Sequence, residues 1–169
     1  MISLDDSNQL SLLGHLYIEI GILEKLLRVT IPRSLGASPE NPLDLSWILK
    51  LNLDAENRLR VEKALKRRLL ANKNLTVSIS EFIPLSFWRW VLHSRHFTSL
   101  WIPYTHQILI DSGGALSMRA LKDFERRLYR ANQDRNVVAH YNTSLIKGID
   151  ASLENVRWLQ EAMGLVKAE

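Results

Sequence analysis

The residues best equipped for chemistry stand together at Arg135-Asn136-Val137-Val138-Ala139-His140, a permanent cation and an amide followed by small apolar residues and an imidazole. Arginine presents a planar fork of N–H donors that matches phosphate oxygens. Histidine, with an unperturbed pKa of about 6.5, can act as acid or base near neutrality. Asparagine can orient either partner through its amide. The apolar residues between them read as a packed element from which the polar groups project. The set suits the movement of protons at a phosphodiester. The competing reading is an interhelical arginine, a capping asparagine and a satisfied core histidine.

Helix geometry adds a constraint. On an ideal α-helix, positions 135 and 140 diverge by about 140° and rise about 7.5 Å, whereas Asn136 and His140 share a face. Arg135 is therefore expected at a helix start or kink, or reaching around the helix. The alternative is a two-fold dimer in which two motifs face one cleft and each supplies part of a composite site. No carboxylate cluster lies beside the motif, so a two-metal mechanism is not suggested and no cofactor is implied.

The elements that must position this motif read as helical. In the N-terminal segment, Leu10, Leu13, Leu16, Tyr17, Ile20, Leu23 and Leu27 recur at spacings of three and four, a wide apolar stripe. Asp5, Asp6 and Ser7 are N-cap candidates, Glu24 and Arg28 form an i,i+4 pair, and Pro32 is expected to end the helix. His15 beside the stripe reads as structural. A loop rich in Pro, Gly and Ser follows over 33–44. Asp44 caps a short apolar turn carrying Trp47, and Asp54 starts a second long helix to about Ala71. Its predicted stripe is Leu59, Ala64, Leu65 and Leu69. Arg58, Arg60, Lys63, Lys66, Arg67 and Arg68 make it basic, either a solvated face or a strip for a phosphate backbone.

Residues 74–101 hold Phe82, Phe87, Trp88, Trp90, Phe97 and Trp101. Interleaved with Arg89, Arg95, His93 and His96, these rings could stack bases, but the favoured reading is core. Thr76 or Ser78 could start a helix here, with Pro84 in its first turn or kinking it; 76–79 is the one strand-like run. Asp111-Ser112-Gly113-Gly114 signals a turn without the spacing of a phosphate loop. Ser117 caps the next helix, whose apolar face is Leu121, Phe124, Leu128 and Ala131. Arg119, Lys122, Arg126, Arg127 and Arg130 load the rest of it with positive charge. The segment 142–148 reads as a helix end. Asp150 or Ser152 caps a final helix with Leu153, Val156, Leu159 and Met163. The fold expected over residues 1–169 is a single all-α domain, an antiparallel bundle of five or six helices with irregular loops.

Composition agrees with that reading. The chain has 169 residues, 46% apolar and 24% charged, and a net charge of +4, enough for one sizeable core and compatible with an anionic partner. Cysteine is absent, which excludes disulfides, thiol nucleophiles and zinc–thiolate sites and makes a reducing cytoplasm the expected location. The acidic N-terminus lacks the basic region of a secretory signal. No apolar run approaches the roughly 20 residues of a membrane span, so no membrane association is expected.

Three segments together resemble the Abi-like proteins, the phage abortive-infection group of the HEPN superfamily. They are Ile22-Leu23-Glu24-Lys25-Leu26-Leu27-Arg28, then Leu85-Ser86-Phe87-Trp88-Arg89-Trp90-Val91-Leu92 with Leu100-Trp101, and the Arg135–His140 motif, which is similar to that family's Arg-x(4–6)-His. Order and spacing match over roughly residues 10–147. Departures fall at Val29, Val137 and Tyr141. The direct adjacency of His140 and Tyr141 argues against the subgroup paired with a nucleotidyltransferase antitoxin. The resemblance implies a dimerising helical bundle and, in active members, a metal-independent ribonuclease acting as a toxin or antiphage effector. An antitoxin or a larger defence complex would be a possible partner. Carried onto this chain, Arg135 and His140 would be catalytic and Asn136 supporting. Arg127, Arg130 and Tyr141 are expected to bind substrate, and Glu24 and Arg28 are assigned a structural role. The expected reaction is transesterification of RNA: His140 acts on the 2′-hydroxyl or the leaving oxygen, Arg135 stabilises the phosphorane, and a 2′,3′-cyclic phosphate results. The alternative is a non-catalytic module of the same fold that binds RNA, a nucleotide or a protein partner, or simply dimerises.

Overall fold

The computed structural model describes residues 4–71, 77–109, 117–140 and 148–164. The first helix, α1, spans Leu4–Ser34. Asp5, Asp6 and Ser7 therefore lie within its first turn rather than capping it. The predicted stripe is buried at Leu13, Leu16, Ile20, Leu23 and Leu27 and continues through Ile31, while Leu10 and Tyr17 face solvent. Each such buried side chain contributes about 1.5–3 kcal/mol.

Pro32 does not end α1, contrary to the sequence expectation. It lacks the N–H that would bond the Arg28 carbonyl, yet Ile31 and Leu35 on either side are fully buried, and that packing carries the last turn through. The stop comes at Gly36, whose φ is 87°. Its N–H donates to the Arg33 carbonyl at 2.9 Å and the Ala37 N–H to the Pro32 carbonyl at 2.8 Å. These two bonds make a Schellman motif, which needs the left-handed conformation that glycine adopts freely.

Asp44 organises the next segment. It accepts hydrogen bonds from the backbone N–H groups of Ser38 and Ser46, each at 2.8 Å, and the bonding from Ser46, then Ser38, holds its carboxyl below the usual range. The 3-10 turn Ser46–Lys50 follows and drives Trp47 into the core. Asp54 caps α2, Ala55–Ala71, by accepting the Asn57 N–H at 2.9 Å. The face that α2 buries is Asn57, Val61, Ala64 and Arg68, whereas Leu59 and Leu69 are exposed. The predicted stripe was therefore half right: Ala64 is buried and Leu65 packs against the core, while Leu59 and Leu69 give way to Asn57, Val61 and Arg68. The physical reason is that α2 packs mainly on the short turn Ile79–Phe82, so only a narrow contact chooses its buried side.

The region expected as one helix around Pro84 is two elements. Ser78 caps the Ile79–Phe82 turn, accepting the Ser80 N–H, and Pro84 is the N-cap of α3, Leu85–Val91. Ile79 is helical rather than strand; Thr76 lies outside the described residues. After α3 come the 3-10 turn Ser94–His96, the π-helical turn Phe97–Trp101 and the 3-10 turn Thr105–Ile108. Phe87, Trp88, Trp90 and Trp101 are buried. Trp47 stacks on Trp88 with ring centroids 5.7 Å apart, and Phe87 meets Trp88 edge-on at 5.3 Å. These rings are the core, so they are not a base-stacking surface.

Ser117 caps α4, Met118–Ala139, its hydroxyl accepting the Ala120 N–H at 3.1 Å. The turn predicted at 111–114 lies outside the described residues. The last helix, α5, spans Ile149–Ala162, with Gly148 as its N-cap; Asp150 falls in the first turn and Ser152 is buried inside. The predicted core faces of α4 and α5 are buried as expected. α1 packs against α5, α4 and α3, and α4 packs against α5. The fold is an all-α bundle, with no strand among the described residues. No helix among them is long and apolar enough to cross a membrane.

Candidate functional site

The motif occupies the C-terminal end of α4. The helix runs unbroken from Met118 through Val137 and Val138 to Ala139, and His140 is its C-cap, donating its backbone N–H to the carbonyls of Asn136 and Val138. The kink or helix start expected at Arg135 is therefore not there. Val137 and Val138 are half-buried, while Asn136, Ala139 and His140 are exposed. The core-histidine reading of His140 fails on that exposure.

Arg135 points the other way, towards α1. Its Nε lies 3.6 Å from Glu24 Oε1. The other carboxylate oxygen of Glu24 accepts from Arg28 Nη2 at 2.9 Å, and Arg28 Nη1 lies 3.7 Å from Glu81 Oε2. The result is a chain of alternating charge running from α4 across α1 to the Ile79–Phe82 turn. The Glu24 side chain is only 13% exposed, and a carboxylate so far from water requires opposite charge around it. Arg135 itself keeps 44% of its side chain in solvent, so part of its donor fork remains open to an incoming anion. In the sequence, Glu24 and Arg28 form only a local i,i+4 helix pair. The fold brings that pair to Arg135, making Glu24 the group that aims the motif's arginine.

Asn136 and His140 share the outward face of α4, and Arg135 lies about 140° around the helix from His140. One chain thus presents the cation and the imidazole on different sides. Arg127 is engaged nearby: its Nε lies 3.3 Å from Asp123 Oδ2, and its guanidinium sits over the Trp158 ring at 4.1 Å. Arg130 is exposed. Tyr141, expected to bind substrate, lies outside the described residues, as does the segment 142–147.

Asp134, beside the motif, faces α5. Burial raises its carboxyl above the usual range, against the opposing effects of a hydrogen bond from Ser152 and the nearby Arg130. Its Oδ2 is buried without a hydrogen-bond partner, which fits the same account. An acid whose folded-state pKa is raised favours folding only while it is protonated, and that contribution is lost as pH rises through the raised value. Asp134→Asn is therefore expected to melt above the parent at neutral pH, with the gap closing as pH falls through the carboxylate range. Thermal denaturation of both proteins between pH 7 and 4 checks this; a gap that does not change with pH would contradict it.

The histidines of the aromatic segment are tied into the scaffold. His93 Nε2 lies 3.4 Å from Glu125 Oε1, and Glu125 also accepts the Ser94 N–H at 2.9 Å. His96 packs edge-on against Trp90 and accepts from Arg95 Nε at 3.1 Å. Burial first, then the charges of Arg95 and His93, pushes its imidazole below the usual range. These contacts fix the α3 corner against α4. Comparisons of the chain with protein-family models, with curated proteins and with solved structures find no match.

Proposed function

We propose that the chain is a metal-independent RNA endonuclease of the HEPN, Abi-like kind, working as a homodimer. The observation that carries this reading is the ion pair of Arg135 with Glu24, whose other carboxylate oxygen accepts from Arg28. Two segments far apart in sequence, each singled out by resemblance to that family, converge on one ion-paired cluster. Glu24 holds the Arg135 guanidinium in place, and its open donors receive the scissile phosphate as charge develops. His140, exposed at the end of α4, takes the proton from the 2′-hydroxyl or delivers one to the 5′-oxygen that leaves. The 2′-oxygen bonds to phosphorus, the bond from phosphorus to the 5′-oxygen breaks, and the products are a 2′,3′-cyclic phosphate and a 5′-hydroxyl. Because the two side chains diverge around one helix, Arg135 of one subunit and His140 of the other serve the same phosphate.

The same divergence supports a second reading, a catalytically silent module of this fold that binds RNA. Single-stranded RNA incubated with the protein in EDTA separates the two. Cyclic-phosphate ends, and a block when the scissile nucleotide is 2′-deoxy, are expected for the nuclease. Binding with intact RNA after long incubation supports the silent module.

A further inference from the structure

The outward face of α4 separates charge more sharply than its sequence suggests. Lys122, Arg126, Tyr129, Gln133, Asn136 and His140 are all exposed, and their alternating spacing of four and three places them on one line along the helix. From Lys122 to His140 that line is about 27 Å long. The acidic residues of α4 are drawn off it. Asp123 is held by Arg126 and Arg127, Glu125 by Ser94 and His93, and Asp134 faces Ser152. Lys122 and the amides Gln133 and Asn136 remain on the line unpaired by these acids, Arg126 keeps 75% of its side chain exposed beside Asp123, and Arg119 and Arg130 are exposed next to it.

Two further features give the line direction. Its N-terminal end opens into a groove of about 660 Å³, whose lining includes Arg119, Lys122, Asp123, Arg126 and Trp158, with Asp123 paired to Arg126 and Arg127. Midway, Tyr129 is 51% exposed, with the Arg89 guanidinium 4.9 Å from its ring centroid. A half-exposed ring set among cations is the arrangement on which single-stranded bases stack.

We propose that this face is a track for single-stranded RNA, running from the groove beside Trp158, over Tyr129 as the stacking platform, to His140. The proposal rests on the nuclease reading for what happens at the end of the track, but not for binding itself. At 3.4 Å per stacked nucleotide the line accommodates roughly eight phosphates. A duplex fits the track poorly, because its bases are paired and closed to Tyr129.

The test is fluorescence anisotropy with a labelled 12-mer oligoribonucleotide, using protein that carries His140→Ala so that the probe stays intact. Adding Tyr129→Ala is expected to weaken binding by about 5- to 100-fold and to leave its salt dependence unchanged. Tyr129→Phe, which keeps the ring, is expected to restore it. Lys122→Gln with Arg119→Gln, two exposed cations of the groove, is expected to reduce the log–log salt slope by about 1.4, the contribution of two phosphates to a single strand. Unchanged affinity in both variants, with melting temperatures equal to the parent, would overturn the track. So would a duplex of the same sequence binding as tightly as the single strand. The outcomes separate this inference from the nuclease reading. Protein that cleaves RNA while both variants bind normally keeps the nuclease and loses the track. Protein that never cleaves, yet loses the 12-mer in Tyr129→Ala, keeps the track and loses the nuclease.

Discussion

His140→Ala is expected to lower RNA cleavage by about 10²–10⁴-fold, the usual loss when a positioned general acid or base is removed. The structure makes this variant unusually clean. His140 is exposed and ends α4 through its backbone N–H, and alanine keeps that N–H. The melting temperature should therefore stay within about 2 °C, since a surface substitution stays within about 0.5 kcal/mol and a chain of this size shifts by 2–4 °C per kcal/mol. RNA affinity should hold as well, because the permanent cations of α4 supply it. Cleavage and melting are measured on one purified sample. A folded variant that cuts at the parental rate removes His140 from the chemistry. A large fall in melting temperature would instead reveal a structural role that its exposure argues against.

Two helix caps were legible in the sequence: Asp54 and Ser117 cap α2 and α4 as expected, because capping depends on one side chain and the N–H groups two or three residues on. Asp44 binds the Ser46 N–H, but the N-cap of that turn is Leu45, and the caps expected of α1 and α5 fall inside those helices. The buried faces of α4 and α5 followed from their spacing because each packs broadly enough for one face to be unambiguous. Tertiary context decided the rest. Pro32 continues α1 because Ile31 and Leu35 anchor the last turn. On α2 the expected Ala64 is buried and Leu65 packs on the core, but Asn57, Val61 and Arg68 take the places of Leu59 and Leu69 because the main support of the helix is a single short turn.

The candidate site divides along the same line. The motif residues were legible as a chemical set, and the divergence of Arg135 from His140 followed from helix geometry alone. The contact between Arg135 and Glu24 was not legible. It depends on how α4 crosses α1, which no local pattern encodes. Tyr129 was not legible either: the apolar spacing of α4 marks Leu121, Phe124, Leu128 and Ala131 as its buried face, and the contact of Tyr129 with Arg89 depends on how α3 meets α4.

The divergence of the two side chains makes the strongest claim of the account: Arg135 of one subunit and His140 of its partner act on one phosphate. If so, Arg135→Ala and His140→Ala homodimers are each nearly inactive, since every composite site lacks one group. A heterodimer of the two variants places both substitutions in one site and leaves the other intact. Co-expression of the two chains with different tags, followed by two successive affinity steps, isolates that heterodimer. Its cleavage of single-stranded RNA in EDTA is predicted at roughly half the parental rate, with one of two sites working. A heterodimer no faster than either variant alone, or a protein that stays monomeric at micromolar concentration, would contradict the shared site.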